Sequence, residues 1–411
     1  MNKRYIIIGN SAAGIAAVEG IRQIDSKGAI TILSSEKHHT YSRPLISYLL
    51  KGNVTNDGLK YRSDSFYSDY GCTLFKGSTA VRIDPKKKRV ALDSGEELLY
   101  DELLIATGSR PNVPTIEGLN QVKSKHTFFT LDDALGLGDA LGANRDKRVL
   151  IVGAGLVGLK CAEGILSKAA KVTIVNKKVL GRVLDDESSE IVQKHMEKNG
   201  LEFRLGATIK SFDNNSALLE SGDKIDFDIL VLATGATPNV ELLQGITDID
   251  RGILINQKSK TTNPHIYAAG DCTQTADISD GVSKVMALLP NAYLQGECAG
   301  INMAGGDKTF DKAIPMNAVG FFGLNIITAG NYTGDSYIKR SDNSYKRIFY
   351  GDNKLSGFIM VGDVDKAGIY TSLIRERTPL DTLDFSLICQ KPGLMAFAKE
   401  ARGEILRRKA L

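Results

Sequence analysis

Arg4-Tyr5-Ile6-Ile7-Ile8-Gly9-Asn10-Ser11-Ala12-Ala13-Gly14, near the start of the chain, is answered farther on by Arg148-Val149-Leu150-Ile151-Val152-Gly153-Ala154-Gly155-Leu156-Val157-Gly158. Each stretch is a β-branched apolar run that closes on glycine-rich residues and opens into sequence of helical character. A buried parallel strand turning into a helix reads this way. Second apolar runs, Ala29–Leu33 and Lys171–Val175, complete two βαβ units of about 30 residues each. Another pair of echoes follows in the same order: Tyr100-Asp101-Glu102-Leu103-Leu104-Ile105-Ala106-Thr107-Gly108-Ser109-Arg110-Pro111 matches Phe227-Asp228-Ile229-Leu230-Val231-Leu232-Ala233-Thr234-Gly235-Ala236-Thr237-Pro238. One glycine-rich turn is weak evidence, since glycines gather in turns by chance. Two of them, each in a βαβ context and each trailed by the same strand-Ala-Thr-Gly-x-x-Pro, mark a duplicated unit.

The chemical demand on both turns is the same. The first glycine makes the strand-to-helix turn, the second lets backbone approach a pyrophosphate, and the third lets helix pack on strand. The helix N-terminus then offers unpaired N–H groups to the phosphates. In the first turn Ser11 stands in the middle place, where a small side chain still fits. Selectivity comes from the end of the following strand, where an acid bonds the ribose hydroxyls. Glu36 stands there in the first unit; the second has Asn176, followed by Lys177 and Lys178. An acid repels a 2′-phosphate, whereas asparagine beside lysines tolerates or attracts it. Two readings of the second site therefore stand: it accepts a 2′-phosphorylated nucleotide, or Asn176 alone holds the 2′-hydroxyl while both lysines are solvated.

The composition bounds the rest. With 411 residues, 42% hydrophobic and 24% charged, the chain suits two or three domains. A net charge of +4 gives no reason to expect a nucleic acid or a membrane surface as partner. No apolar run reaches the roughly 18 residues of a membrane span, and the apolar patch at the N-terminus is too short for a signal peptide. Five cysteines (Cys72, Cys161, Cys272, Cys298, Cys389) lie far apart with no CxxC pair. That argues against a disulfide framework or structural zinc and makes a reducing cytoplasm the expected setting. His38 and His39 lack a third ligand at convincing spacing, so no metal site is expected.

One more motif, Thr261-Thr262-Asn263-Pro264-His265-Ile266-Tyr267-Ala268-Ala269-Gly270-Asp271, ends an apolar strand in Gly-Asp ahead of a helix expected to begin near Asn291. Such an arrangement places a carboxylate on a polyol. With the doubled turns, the chain resembles the FAD-dependent pyridine nucleotide-disulfide oxidoreductase family over residues 1 to about 370, most closely its rubredoxin reductase and nitrite reductase N-terminal branch. The resemblance implies an α/β fold with two Rossmann-like dinucleotide-binding domains, for FAD and NAD(P), plus a C-terminal α+β interface domain. It places FAD on the first turn: Gly9, Ser11, Ala12, Ala13 and Gly14 on the pyrophosphate, Glu36 and Lys37 at the adenosine ribose, the backbone of Val81 at the adenine. Arg43 and Pro44, Ala106, Thr107 and Gly108, and Gly270 with Asp271 at the ribityl chain complete that set. NAD(P)H falls to Gly153, Gly155, Leu156, Val157 and Gly158, to Asn176 and Lys177, and to Ala233, Thr234 and Gly235.

Departures from the family narrow the function. Its disulfide reductases carry CxxxxC after the first βαβ unit, and its peroxidases a single cysteine. Here Thr40-Tyr41-Ser42-Arg43-Pro44-Leu45-Ile46-Ser47-Tyr48 has none, and Cys72 falls well outside that stretch. Without a thiolate against the flavin, electrons are expected to leave the reduced ring directly. Arg43 is expected near the flavin, stabilising an anionic reduced ring, or else capping a helix after Pro44. In the ferredoxin reductases a Lys at the end of the Arg-Pro run pairs with a Glu after the third glycine of the second turn. Tyr48 and Lys160 stand at those places here. The expectation is that Lys160 serves catalysis as the positive group of the pocket, with a surface lysine as the bland alternative. The aromatics that shield the flavin in ferredoxin reductases are replaced by Asn317 and Ala318, with Phe321 and Phe322 as substitutes.

The domain scheme runs 1–112 and 240–311 for FAD, 113–239 for NAD(P), and 312–411 for an antiparallel interface domain, which in the family commonly makes a homodimer contact. Residues 396–411, rich in Lys and Arg, read as a solvated amphipathic helix. The expected activity is electron transfer from NAD(P)H through FAD to a small iron protein, rubredoxin or ferredoxin. Two rivals remain: a hydrogen-peroxide-forming NAD(P)H oxidase, and a flavoprotein subunit without turnover of its own.

Overall fold

The two apolar runs that open the repeats each form the middle strand of a five-stranded parallel sheet. The computed structural model of the chain, which describes residues 2–341, 344–398 and 402, orders the first sheet Ile266–Ala268, Glu102–Ile105, Arg4–Ile8, Ala29–Ser34, Cys72–Lys76. The second runs Glu202–Leu205, Lys171–Asn176, Arg148–Val152, Ile229–Leu232, Lys125–Thr127. Both middle strands are covered on two faces, as their unbroken apolar sequence requires, and Ile6, Ile7, Leu103, Leu104, Leu150, Ile151, Leu230 and Val231 are all buried. At equivalent places an Arg–Asp fork locks strand to strand: Arg4 onto Asp101 through its backbone N–H, Nε and Nη2, and Arg148 onto Asp228 in the same three ways.

A third echo is visible only in three dimensions. Ahead of each Ala-Thr-Gly strand lies a three-stranded antiparallel sheet, Ala80–Asp84 with Arg89–Leu92 and Glu97–Leu99 in the first repeat, Ile209–Asp213 with Ser216–Leu219 and Lys224–Asp226 in the second. Helix Ala12–Ile24 crosses helix Leu289–Met303 at backbone distance, because Gly296 and Gly300 face it. A Cβ at either would come within 2.2 Å of a carbonyl oxygen, that of Ala13 or Ala17. The second helix begins at Leu289, two residues earlier than the sequence suggested, with Pro290 in its first turn, where a missing N–H costs nothing.

The chain forms two compact units. The first takes in everything up to Arg182, Ser189–Thr275 and Lys284–Phe310, and contains both parallel sheets. The second takes Val183–Ser188, Ala276–Ser283 and the chain from Asp311 on. Its core is a five-stranded antiparallel sheet ordered Met316–Phe321, Leu324–Gly330, Lys354–Val361, Ser344–Gly351, Asp335–Ser341, backed by helix Ala367–Arg375. The Val183–Ser188 segment is held in this unit by side chains far along the chain. Tyr345 and Arg347 donate to Asp185, and Arg340 forks onto Glu187. Burial alone raises the Asp185 carboxyl, but hydrogen bonds from Ser188, Tyr345 and Arg347 outweigh it and leave it below the usual carboxylate range. Phe321 is packed into this sheet, and Phe322 occupies the following hairpin turn at φ 47°. Most of the proposed basic helix at 396–411 lies outside the described residues.

Candidate functional site

The first turn is built as its sequence demands. Gly9 has φ 126°, and a Cβ on it would lie 2.0 Å from the Ala106 carbonyl oxygen; Gly153 repeats this at φ 118° against Ala233. Ala106 and Ala233 are thus set against their turns by the Ala-Thr-Gly strands. Gly14 and Gly158 close the motif from the helix side, each with its Cα against the carbonyl of the first glycine. Ser11 is the extended N-cap of helix Ala12–Ile24, and its hydroxyl caps nothing. Gly155 holds the same place before helix Leu156–Ile165, where a Cβ would meet open space. Neither helix has a side-chain cap at its N-terminus, so the first N–H groups, including those of Ala12, Ala13, Leu156 and Val157, point at no side-chain acceptor.

Around the first turn the other expected residues converge. The Gly77 and Ser78 amides donate to the carbonyls of Glu36 and Ser34, which brings the loop before Ala80–Asp84 onto the end of the second strand. The stem of Lys37 lies along Gly77. Val81 is the extra residue of a bulge, since the ladder passes from Ala80 to Arg82, so its own backbone groups lie outside the register. Gly270 packs on Ala13. Burial raises the Asp271 carboxyl, and the charge of Arg43 and the Ser109 hydroxyl only partly offset that. These features fit a dinucleotide with a polyol arm: glycines where backbone must be bare, uncapped N–H groups for phosphate, a bulged backbone edge for a base and a partly desolvated carboxylate for hydroxyls.

Arg43, expected near the flavin or as a cap on a helix after Pro44, begins the 3₁₀ turn Arg43–Leu45, and its guanidinium donates to Glu36 and to the Phe129 carbonyl. The second Glu36 oxygen accepts from Tyr41, whose hydroxyl also accepts the Leu131 amide at the start of helix Leu131–Leu141. Pro44, next to Arg43, is exposed. Lys160, expected to be the pocket's single positive group, is one of two lysines on Glu163. The reason is helical spacing: Glu163 lies one turn from Lys160, and Lys51 one turn from Tyr48.

At the second turn, Asn176 donates a side-chain N–H to the Lys178 carbonyl. Lys177 is exposed, and the Lys178 stem lies on Gly181. Arg182 reaches within 4.0 Å of where a Gly235 Cβ would stand.

The two Ala-Thr-Gly ends are tied together reciprocally. The Thr107 hydroxyl donates to the Asn239 carbonyl and the Asn239 amide returns to the Thr107 carbonyl, while Thr234 donates to the Asn112 carbonyl and Thr237 to its side chain. Ser109–Pro111 and Ala236–Pro238 pair antiparallel beside this clasp, and Gly108 accepts the Asn239 amide. The clasp asparagines escaped the sequence reading, although each directly follows the proline of its echo.

No group of three or more potential metal ligands occurs among the described residues. His38 pairs with Asp132 and His39 with the Thr40 carbonyl. All five cysteines are free thiols and burial pushes each one up, Cys72, Cys272 and Cys389 to about 11. No helix among the described residues is long and apolar enough to cross a membrane.

Residues 3–296 match the pyridine nucleotide-disulphide oxidoreductase family, and residues 315–378 match the rubredoxin NAD+ reductase C-terminal domain. Subunit epsilon of an NADH-dependent phenylglyoxylate dehydrogenase from Aromatoleum evansii is 30% identical over 92% of this chain and 93% of its own. The NADH-rubredoxin oxidoreductase of Clostridium acetobutylicum is 29% identical over 88% of this chain and 91% of its own. Putidaredoxin reductase, solved as a covalent complex with putidaredoxin, superposes with TM-score 0.87 and 23% identity over 100% of both chains. The chain belongs to the pyridine nucleotide-disulphide oxidoreductase family, and it is an NAD(P)H oxidoreductase whose cofactor is FAD.

Proposed function

We propose that the chain carries electrons from NAD(P)H through FAD to a small iron electron-transfer protein of the rubredoxin or ferredoxin type. The observation that carries this reading is the C-terminal match to the rubredoxin NAD+ reductase domain, on a chain whose residues 40–48 contain no thiol. Bound FAD supplies a ring that takes hydride from NAD(P)H and releases electrons one at a time.

The residues of the chain bind and orient. Gly9, Ser11, Ala12, Ala13 and Gly14 present bare backbone and uncapped N–H groups to the FAD pyrophosphate. Arg43, held by Glu36 and acting electrostatically on Asp271, adds a fixed positive charge along the same trough. Glu36 retains lone pairs for a ribose hydroxyl beyond those it gives Arg43 and Tyr41. Asp271 accepts from the ribityl chain, which replaces the solvation that burial removed. Ala106, Thr107, Gly108 and Gly270 wall this trough, and Val81 offers backbone to the adenine. Gly153, Gly155, Leu156, Val157 and Gly158 perform the same service for NAD(P)H, with Ala233, Thr234, Gly235, Asn176 and Lys177 beside them.

A thiol relay is disfavoured on two grounds: no cysteine lies in the family's redox stretch, and burial keeps the thiols protonated at neutral pH. Five free thiols and a nucleotide donor suit a reducing cytoplasm, where we place the enzyme. NAD(P)H-dependent bleaching of an oxidised rubredoxin or ferredoxin under nitrogen tests the reading. Rapid bleaching supports it; hydrogen peroxide accumulating in air with no bleaching of either protein overturns it in favour of an oxidase.

A further inference from the structure

Helix Ile46–Lys51 and helix Leu156–Ile165 meet closely because Gly164 lacks a side chain; a Cβ there would lie 2.8 Å from the Ser47 carbonyl oxygen. At this crossing one carboxylate serves two lysines. Glu163 receives Lys160 Nζ at 2.5 Å and Lys51 Nζ at 3.3 Å. The Lys160 ammonium also lies over the Tyr48 ring, 4.4 Å from its centroid. The side chains of Glu163 and Lys160 are only 9% and 16% exposed, against 37% for Lys51. These four residues, with Ser47 and Gly164, line one cleft.

A buried carboxylate is stabilised by a cationic partner, and Glu163 has both Lys160 and Lys51. Positions 48 and 160 are where the resemblance puts the lysine–glutamate pair of the ferredoxin reductases. That pair is absent here, but a lysine and a glutamate recur three residues on along both helices, at 51 and 163, still facing each other. Residues three apart share a helix face, which brings Lys51 and Lys160 onto the same carboxylate.

We infer that Glu163 is a positioning residue that holds Lys160 against Tyr48. Removing the Glu163 charge frees Lys160 from its anchor without removing the ammonium. Removing Lys51 leaves the Glu163–Lys160 bond intact. The inference rests on the reading of the two turns as FAD and NAD(P)H sites.

The test compares Glu163→Gln, Glu163→Asp and Lys51→Gln with the parent in three measurements: thermal unfolding of the apoprotein, the pH dependence of the bound flavin's reduction potential, and the anaerobic rate of flavin reduction by NADH. Glu163→Gln is expected to slow reduction about 100-fold, the order of effect of displacing a group near the chemistry by about 1 Å, and to change the pH dependence of the potential. Glu163→Asp recovers most of the rate. Lys51→Gln lowers the apoprotein melting temperature but stays within about two-fold of the parental rate, because the Lys160 anchor survives. The inference is overturned if Glu163→Gln keeps the parental rate and pH dependence, or if Lys51→Gln slows reduction as much as Glu163→Gln. Should Glu163→Gln not fold, Glu163→Ala takes its place: slow reduction with a changed pH dependence supports the inference, and the parental rate and pH dependence contradict it. Failure of the parent itself to be reduced by NADH or NADPH would strike the underlying reading instead.

Discussion

Asp271 and Asn176 are single residues on which opposite demands fall. Burial raises the Asp271 carboxyl above its ordinary range, and a carboxyl raised in the folded state takes up protons more readily there than in the unfolded chain. The stability it lends is complete at low pH and is lost as pH rises through its folded pKa. Asp271→Asn should therefore raise the apoprotein's melting temperature at pH 7 and leave it unchanged at pH 3. The same substitution should weaken FAD binding about ten-fold, for want of a charged acceptor. Calorimetry and a flavin fluorescence titration read the two effects, and a melting temperature that falls at pH 7 would contradict the assignment. At Asn176 one amide N–H is engaged by the Lys178 carbonyl, and a nucleotide meets an uncharged side chain. Asn176→Asp should cut kcat/KM for NADPH about ten-fold or more by placing a negative charge against a 2′-phosphate, while kcat/KM for NADH holds within about two-fold. Residue types at these sites were legible because their places follow from the turns that precede them. Partners were not: nothing in a linear reading tells that Arg43 turns back onto Glu36, or that Lys160 shares a carboxylate with Lys51, since both depend on how short helices after Ser42 lie on their neighbours.

The strand–turn–helix element was the most readable part, because its constraints are local. A Cβ at Gly9 would collide with the Ala106 carbonyl and force a rare φ on a side chain. Gly9→Ala should accordingly cost about 2 kcal/mol or more of stability, seen as a lower denaturation midpoint even without FAD. The Arg–Asp forks at the base of both sheets follow from the same echo, since Arg4 and Arg148 stand at equivalent places, as do Asp101 and Asp228. Arg4 holds the Asp101 carboxyl down to about 2. A depressed carboxyl contributes stability that is present above the ordinary carboxylate range and is lost as pH falls through its folded pKa, so Asp101→Asn should destabilise at pH 7 and have no effect near pH 1. The three-stranded sheets were not legible: Glu97–Leu99 and Lys224–Asp226 are three residues each, too short to show alternation. The reciprocal clasp was nearly so. Asn239→Ala removes one amide donor and should cost about 1–2 kcal/mol, and if the clasp also sets the distance between the two turns, it should slow flavin reduction more than it weakens either nucleotide.

For the whole molecule, duplication explains the architecture, and the departures from duplication indicate the function. Both halves share a parallel sheet, a bare-backbone turn and an Ala-Thr-Gly end, yet the selecting residue is Glu36 in one and Asn176 in the other. The antiparallel unit was legible from its alternating runs, Tyr345–Tyr350 and Leu355–Val361, which fall within strands Ser344–Gly351 and Lys354–Val361. Its capture of Val183–Ser188 was not, because Asp185 and Glu187 find their partners at Tyr345, Arg347 and Arg340, far along the chain. The central claim is that electrons leave the flavin for a small iron protein with no thiol in between. The most direct measurement reduces the enzyme anaerobically with one equivalent of NADH after blocking its accessible thiols, then mixes it in a stopped-flow instrument with oxidised rubredoxin or ferredoxin, or with air-saturated buffer. The account predicts that the iron protein reoxidises the flavin faster than oxygen does at equal concentration, and that thiol blocking changes neither rate. Reoxidation no faster with either iron protein than with oxygen, or abolished by thiol blocking, would contradict it.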